Sequence, residues 1–366
     1  DSKFEIKDGK YTLVEGTDYQ IAGYENNKNV GTATINIVGI GAYSGKAAIS
    51  FPIVAAELNG TIVFRGENGD TPVIPDQEYD YAKVTSSNGY TFDIAAKNDN
   101  TTNDKKLRVI DNNGKVVDPN NYTVTYKDNT AAGTATITVE GKAGYKLNAV
   151  NTFRIVPAKL TKTTISKSFT RKDSETLYYT GEEIKPAMNV SITDGTYKLV
   201  EGTDYKIEYS DNTNAGKGKA KLVGLGNYAG VVKDVDVTTA NNLLVEFDIN
   251  KTVIKSTNVV ATDVAYAGGV LVTPNITVKN PNSNKALVAG TDYTVEVIDG
   301  GINVGQAHAI IKLSDAAKKN YVLDSSYVTF NVTAKSLSDV TVTPITNQVA
   351  TGEQIKPAIT VMNGSV

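Results

Sequence analysis

The chain has no cysteine and no tryptophan, and only two methionines and one histidine among 366 residues. Without cysteine there is no disulfide scaffold and no thiolate metal site. The single histidine, His308, has no serine or cysteine partner at a recognisable spacing, so no catalytic base is expected. Neither sign of charge dominates, with 37 basic residues against 40 acidic ones. That balance gives no electrostatic footprint for nucleic acid or for an anionic membrane surface. No apolar run approaches the ~18 residues of a spanning helix, so no membrane insertion is expected within this chain. What is abundant is tyrosine, at 20 residues, together with threonine, valine, asparagine and glycine. This is the composition of strands and turns.

Repetition organises these residues. Leu13-Val-Glu-Gly-Thr-Asp-Tyr19 recurs at Leu199–Tyr205, and as Leu-Val-Ala-Gly-Thr-Asp-Tyr at Leu287–Tyr293. A degenerate copy, Asp-Pro-Asn-Asn-Tyr, ends at Tyr122. About a dozen residues later a glycine opens an alternating segment: Gly31, Gly133, Gly216 and Gly305. A second tyrosine follows at Tyr43, Tyr145, Tyr228 and Tyr321, and a leucine at Leu58, Leu160, Leu243 and Leu337. These spacings predict repeats at 58–159, 160–242 and 243–336, with partial repeats at 1–57 and 337–366. Phe4-Glu-Ile-Lys-Asp-Gly9 aligns with Val190–Gly195, and Gly352-Glu-Gln-Ile-Lys-Pro357 matches Gly181-Glu-Glu-Ile-Lys-Pro186. The 1–57 segment therefore resembles the C-terminal part of a repeat, and 337–366 the N-terminal part. Two readings follow: an excerpt of a longer array, or strand complementation between the terminal half-repeats of neighbouring chains.

Alternation defines the strands. Ala135, Ile137 and Val139 share one face, and Thr134, Thr136 and Thr138 the other. Asn- and Asp-rich turns separate such segments. The expected fold is all-β: tandem Ig-like antiparallel β-sandwich modules in an elongated array. Each module would span on the order of 35 to 40 Å, and the array about 150 Å. No amphipathic helix is legible, beyond one turn at 315–320. The second repeat carries extra sequence at 65–106, read as a decorated loop or an added strand pair.

One set of residues carries a resemblance. Tyr179-Thr-Gly181, Ile184-Lys-Pro186, Leu199–Tyr205, Tyr209, Asn212, Asn214-Ala-Gly216 and Gly224-Leu-Gly-Asn-Tyr228 resemble the bacterial immunoglobulin-like repeats of Firmicute cell-surface proteins, clostridial types especially. The resemblance covers nearly the whole chain; in 58–159 the Gly-Thr-Asp is replaced by Pro119-Asn-Asn121. It implies an extracellular setting at a cell surface or cell wall, and it does not fix a ligand.

Candidate sites follow from the same residues. Gly16, Asp18, Tyr19, Gly202, Asp204, Tyr205, Gly290, Asp292 and Tyr293 form the repeated turn, and their recurrence points to a structural role. Tyr79, Tyr81, Tyr90 and Phe92 are candidate ligand contacts beside Asp76, Asp80 and Asp93; core packing is the competing reading. No cofactor is expected. Calcium is the one metal weighed, through Asp99, Asn100, Asn103 and Asp104, or Asp211, Asn212 and Asn214, against ordinary turn chemistry. Lys217, Lys219 and Lys221 form a basic stripe suited to a solvated face or to an acidic wall polymer. The function these features imply is non-enzymatic: a stalk, fibre or surface-layer segment, partnered by itself or by neighbouring repeats. The alternative is an adhesin that contacts a cell-wall or host glycan or protein through the second repeat.

Overall fold

The computed structural model describes residues 4–101, 104–142 and 144–362, with Leu58 placed by its backbone alone. The chain is all-β, with antiparallel pairing dominant and short parallel pairings of two to four residues. Two compact units are formed. One comprises Asp1–Ile165, Thr193–Tyr205 and Gly224–Val231; the other comprises Ser166–Ile192, Lys206–Val223 and Val232–Val366.

In the first unit, Tyr19–Glu25, Gly31–Gly39 and Lys46–Ile53 form one sheet. Its core is Tyr19, Ile35 and Ile37, with Phe4, Ile6, Leu13, Ile21, Ile49 and Phe51 packed against them. The second repeat has the sheet order Tyr122–Lys127, Gly133–Gly141, Tyr145–Val156, Ala56–Gly66 and Gly69–Thr71. Alternation decides its core: Ala135, Ile137 and Val139 are at most 1% exposed, while the threonines between them face outward. The extra sequence supplies the short strand Gly69–Thr71 and a helix, Tyr81–Ser86. That helix was not expected. Asp80 caps it, its carboxylate accepting from the Lys83 N–H at 3.2 Å.

In the second unit, Gly216–Gly224 pairs with Leu244–Asn250, against which Leu177–Tyr178 lies parallel. The fourth repeat orders Val264–Ala265, Tyr327–Thr333, Gly305–Leu313 and Tyr293–Asp299 in one sheet and pairs Val259–Ala261 with Ile276–Val278 in another. Between them lies a core that includes Ile254, Val278, Ala307, Ile311 and Phe330. Thr341–Val342 pairs with Val361–Met362.

One expected boundary is corrected. A division between 242 and 243 would cut the third repeat's sheet, because Leu244–Asn250 is a strand of it. The spacing from Tyr228 to Leu243 matched the other repeats through an inserted segment that includes the turn Asp234–Asp236. The linker equivalent to Ala158-Lys-Leu160 is Thr252-Val-Ile254. Both Leu160 and Ile254 are buried.

Candidate functional site

The Gly-Thr-Asp-Tyr turn consumes its own polar groups. Gly16, Gly202 and Gly290 sit at φ of 82°, 82° and 81°, in the left-handed region that favours glycine. The next-but-one aspartate accepts the N–H of Val14, Val200 or Val288, at 2.9, 2.9 and 2.7 Å. Tyr11 and Tyr197 add hydroxyl bonds to Asp18 and Asp204 at 3.2 and 2.8 Å. The aspartate carbonyls accept from Ile40, Leu225 and Ser314, which fastens the turn to a later loop. Tyr19, Tyr205 and Tyr293 are buried at the start of each outer strand. In the second repeat a 3-10 turn, Pro119–Asn121, stands in, capped by Asp118. Asp204→Ala is expected to cost about 1 to 2 kcal/mol, since it strands the Tyr197 hydroxyl and the Val200 N–H. Denaturant unfolding of the intact chain measures this, and a change within error would contradict it.

The aromatic residues of the second repeat do not form an open platform. Tyr79 is 4% exposed and Tyr90 2%. Tyr90 donates to the Glu78 carbonyl at 2.6 Å. Phe92 packs edge-on against Phe64 and Phe153, with centroids 5.7 and 5.1 Å away. Tyr81 stacks on Tyr197 at 4.7 Å. A cleft of about 580 Å³ remains, lined by Phe92, Thr91, Asp93, Lys83, Lys105 and Glu67 among others.

Beside it is a charge cluster that sequence reading missed. Arg65 is 5% exposed, and its guanidinium faces Asp104 at 3.6 Å, Asp99 at 3.7 Å and Asp70 at 3.8 Å. Lys106 lies 3.2 Å from Asp99 and 3.3 Å from Asp104, and Arg108 3.4 Å from Asp70. Hydrogen bonds from Thr101, then from Lys106, hold the Asp99 carboxyl well below the usual carboxylate range. So the carboxylates weighed for calcium face side-chain cations; Asn103 lies outside the described residues. In the other loop Asp211 pairs with Lys219, Asn212 donates to Ile184, and Asn214 accepts from Asn320. Among the described residues no group of three or more His, Asp or Glu stands close enough to share a metal ion. Lys217 pairs with Asp248, and His308 lies against Tyr327 and faces Asp299 at 3.5 Å.

The joints between repeats also repeat a polar geometry. At the joint after the second repeat, Asn227 accepts the Ala132 N–H through its side chain at 2.8 Å and the Ala158 N–H through its backbone at 2.8 Å. At the joint after the third, Asn320 does the same with Ala215 and Thr252, both at 2.9 Å. Beside each asparagine a tyrosine pair crosses edge to face: Tyr79 with Tyr228 at 5.5 Å, and Tyr179 with Tyr321 at 5.1 Å. At the first joint the Ala56 N–H donates to the Gly144 carbonyl at 3.0 Å, and glycine has no carboxamide to add the side-chain bond. The Asn-Tyr dipeptides were legible as a shared feature, but nothing local showed that they reach the preceding repeat.

No family model matches the chain, and no curated protein does. Among solved structures it is similar to the crystal structure of the Protocadherin GammaB4 extracellular domain, at 8% identity and a TM-score of 0.15. That match covers 93% of this chain and 65% of the other. At this score the likeness decides nothing, and the all-β assignment rests on the strands themselves. Among the described residues no helix is long and apolar enough to cross a membrane.

Proposed function

We propose that the chain is a non-enzymatic structural segment of an extracellular, cell-surface or cell-wall protein of the bacterial Ig-like type, in which tandem sandwiches form a stalk, fibre or surface-layer element. The joint carries this reading. The same asparagine bridge and tyrosine pair recur at the joints after the second and third repeats, an arrangement that ties each repeat to the one before it. Polar groups are spent on turns and joints, and no cofactor has a role in this reading. Partners are then neighbouring repeats or further copies of the chain.

Small-angle scattering tests it. A maximum dimension on the order of 150 Å supports the stalk. A radius of gyration near the ~21 Å of a compact chain of this length would overturn it. Asn227→Ala with Asn320→Ala is expected to broaden the distance distribution and to speed amide exchange at Ala132 and Ala215, at a cost of about 1 to 2 kcal/mol per joint. Unchanged exchange at both amides would remove the asparagines from the joint's mechanics.

One observation favours a second reading, a glycan-binding adhesin: the cleft of about 580 Å³ beside Phe92, with its mixed charged and aromatic lining. Asp93→Ala would then abolish glycan binding by the intact chain while leaving its melting temperature in place. Absence of binding across a panel of wall and host glycans would retire this reading.

A further inference from the structure

Among the described residues, the first repeat's sheet leaves unused the groups that other repeats use to hold their opening segment. Register shows this residue by residue. The strand-opening glycines Gly31, Gly133, Gly216 and Gly305 face Ile53, Ile155, Ile249 and Val332 respectively. In the second, third and fourth repeats that partner strand receives a short parallel strand on its other side: Gln77–Glu78, Leu177–Tyr178 and Val264–Ala265. The next residue closes the pairing, with Tyr79, Tyr179 and Tyr266 donating N–H to the carbonyls of Val156, Asn250 and Thr333 at 2.8, 2.9 and 2.9 Å. The equivalent carbonyl in the first repeat is that of Val54, which is 75% exposed. Among the described residues no strand pairs on that side of Lys46–Ile53.

A second contact lies four residues before each of these glycines. Asn129 donates its amide to the Tyr90 carbonyl at 3.0 Å and accepts the Tyr90 N–H at 2.8 Å. Asn212 does the same with Ile184, at 3.1 and 2.9 Å. Both asparagines are buried. Their counterpart Asn27 is exposed. A third contact comes from the outer strand: the Tyr126 hydroxyl donates to the Phe92 carbonyl, and the Tyr209 hydroxyl to that of Pro186, at 3.2 and 2.7 Å. Their counterpart Tyr24 faces Ile35 as Tyr126 faces Ile137, and is 50% exposed.

The chain carries a segment with the matching groups. Gly352–Pro357 repeats the order of Gly181–Pro186. Its turn has the same conformation, with φ of 79° at Gly352 and 87° at Gly181. In each, the N–H after the glycine donates to the preceding threonine, Glu353 to Thr351 and Glu182 to Thr180. Around this turn Val349, Ile355 and Ile359 are 84%, 40% and 63% exposed.

We propose that residues 348–357 of one copy dock on the first repeat of a second copy; this rests on the structural reading above and names its self-association site. By the third repeat's register, Gln348–Val349 lies parallel to Ile53–Val54, and the Ala350 N–H donates to the Val54 carbonyl. Ile355 exchanges two hydrogen bonds with Asn27, and the Pro357 carbonyl accepts from the Tyr24 hydroxyl. Because donor and acceptor surfaces differ, the contact is head-to-tail and propagates instead of closing as a two-fold dimer.

The test uses the full chain and two variants. Ala350→Pro removes the donor N–H, and Asn27→Ala removes the acceptor's clamp. Both positions are exposed, so unchanged melting confirms folding. In sedimentation velocity the wild type should gain mass with concentration above its 39.0 kDa. Each variant alone should associate at least about tenfold more weakly. Mixed, they should form a one-to-one dimer and stop, since Ala350→Pro keeps a working acceptor and Asn27→Ala a working donor. A wild type that stays monomeric at every concentration overturns the proposal, as do variants that assemble like wild type or a mixture that stays monomeric. The joint measurements concern contacts within one chain, so they can succeed or fail independently.

Discussion

Raising the pH from 10 to 12 is expected to unfold the repeats cooperatively, with ionisation of buried tyrosines as the cause. Tyr90 and Tyr122 are 2% and 3% exposed. Burial, then the charges of Asp80 and Asp118 respectively, pushes each phenol up to about 12. Tyr228 is raised further, by burial first and then by Asp194; Tyr79, Tyr126 and Tyr321 are raised by burial too. The folded pKa lies above the unfolded value of about 10. The native state therefore holds these protons more tightly, and the stability they carry is complete below pH 10. It is lost as the pH rises through the folded values, by about 3 kcal/mol each for Tyr90 and Tyr122 once both states are ionised. Tyrosinate absorbance should rise together with the loss of the β-sheet circular dichroism signal. Tyr90→Phe should move the second repeat's transition to higher pH. Full tyrosinate absorbance near pH 10 with the sheet signal intact would mean that these rings are not buried.

What the sequence exposes is what local chemistry determines. The alternation after Gly133 places Ala135, Ile137 and Val139 in the core because a strand has a period of two. The aspartate of the Gly-Thr-Asp-Tyr turn is equally local: its side-chain bonds fall within seven residues, whereas the Tyr293 hydroxyl reaches the carbonyl of Ile276. Long-range pairing is where legibility ends. Leu243 mimicked a linker leucine by spacing alone, and only the pairing of Lys221 with Leu244 shows which repeat owns the strand that follows it. Arg65 meets Asp99 and Asp104 from 34 and 39 positions away, and no period in the sequence links them. Between ligand contact and core packing the sequence could not place Tyr79, because its partner, Tyr228, belongs to another repeat. The helix Tyr81–Ser86 had one cue, the capping Asp80, and is too short to show a face.

Arg65→Met is expected to be the most damaging single substitution in the second repeat, at about 3 to 5 kcal/mol. The cluster balances Arg65, Lys106 and Arg108 against Asp70, Asp99 and Asp104. Arg65 is its centre: Nη1 donates to the Asp99 carbonyl at 2.9 Å, and Nη2 donates to that of Thr101. The Asp104 side chain is 8% exposed, and among the described residues its carboxylate is met by the cations Arg65 and Lys106, at 3.6 and 3.3 Å. Methionine fills much of the arginine's volume, so the loss is electrostatic and not a cavity. Adding Asp104→Leu restores charge balance and removes the stranded carboxylate. The double variant should therefore recover most of the stability, and the two substitutions should be strongly non-additive. The chain has several repeats, so a whole-chain melting curve averages over them. Amide exchange at Ile137, on an interior strand of the second repeat's sheet, isolates the effect. Single-variant protection within about tenfold of wild type would show that the cluster is solvated. A double variant worse than the single would show that Asp104 is held by more than Arg65.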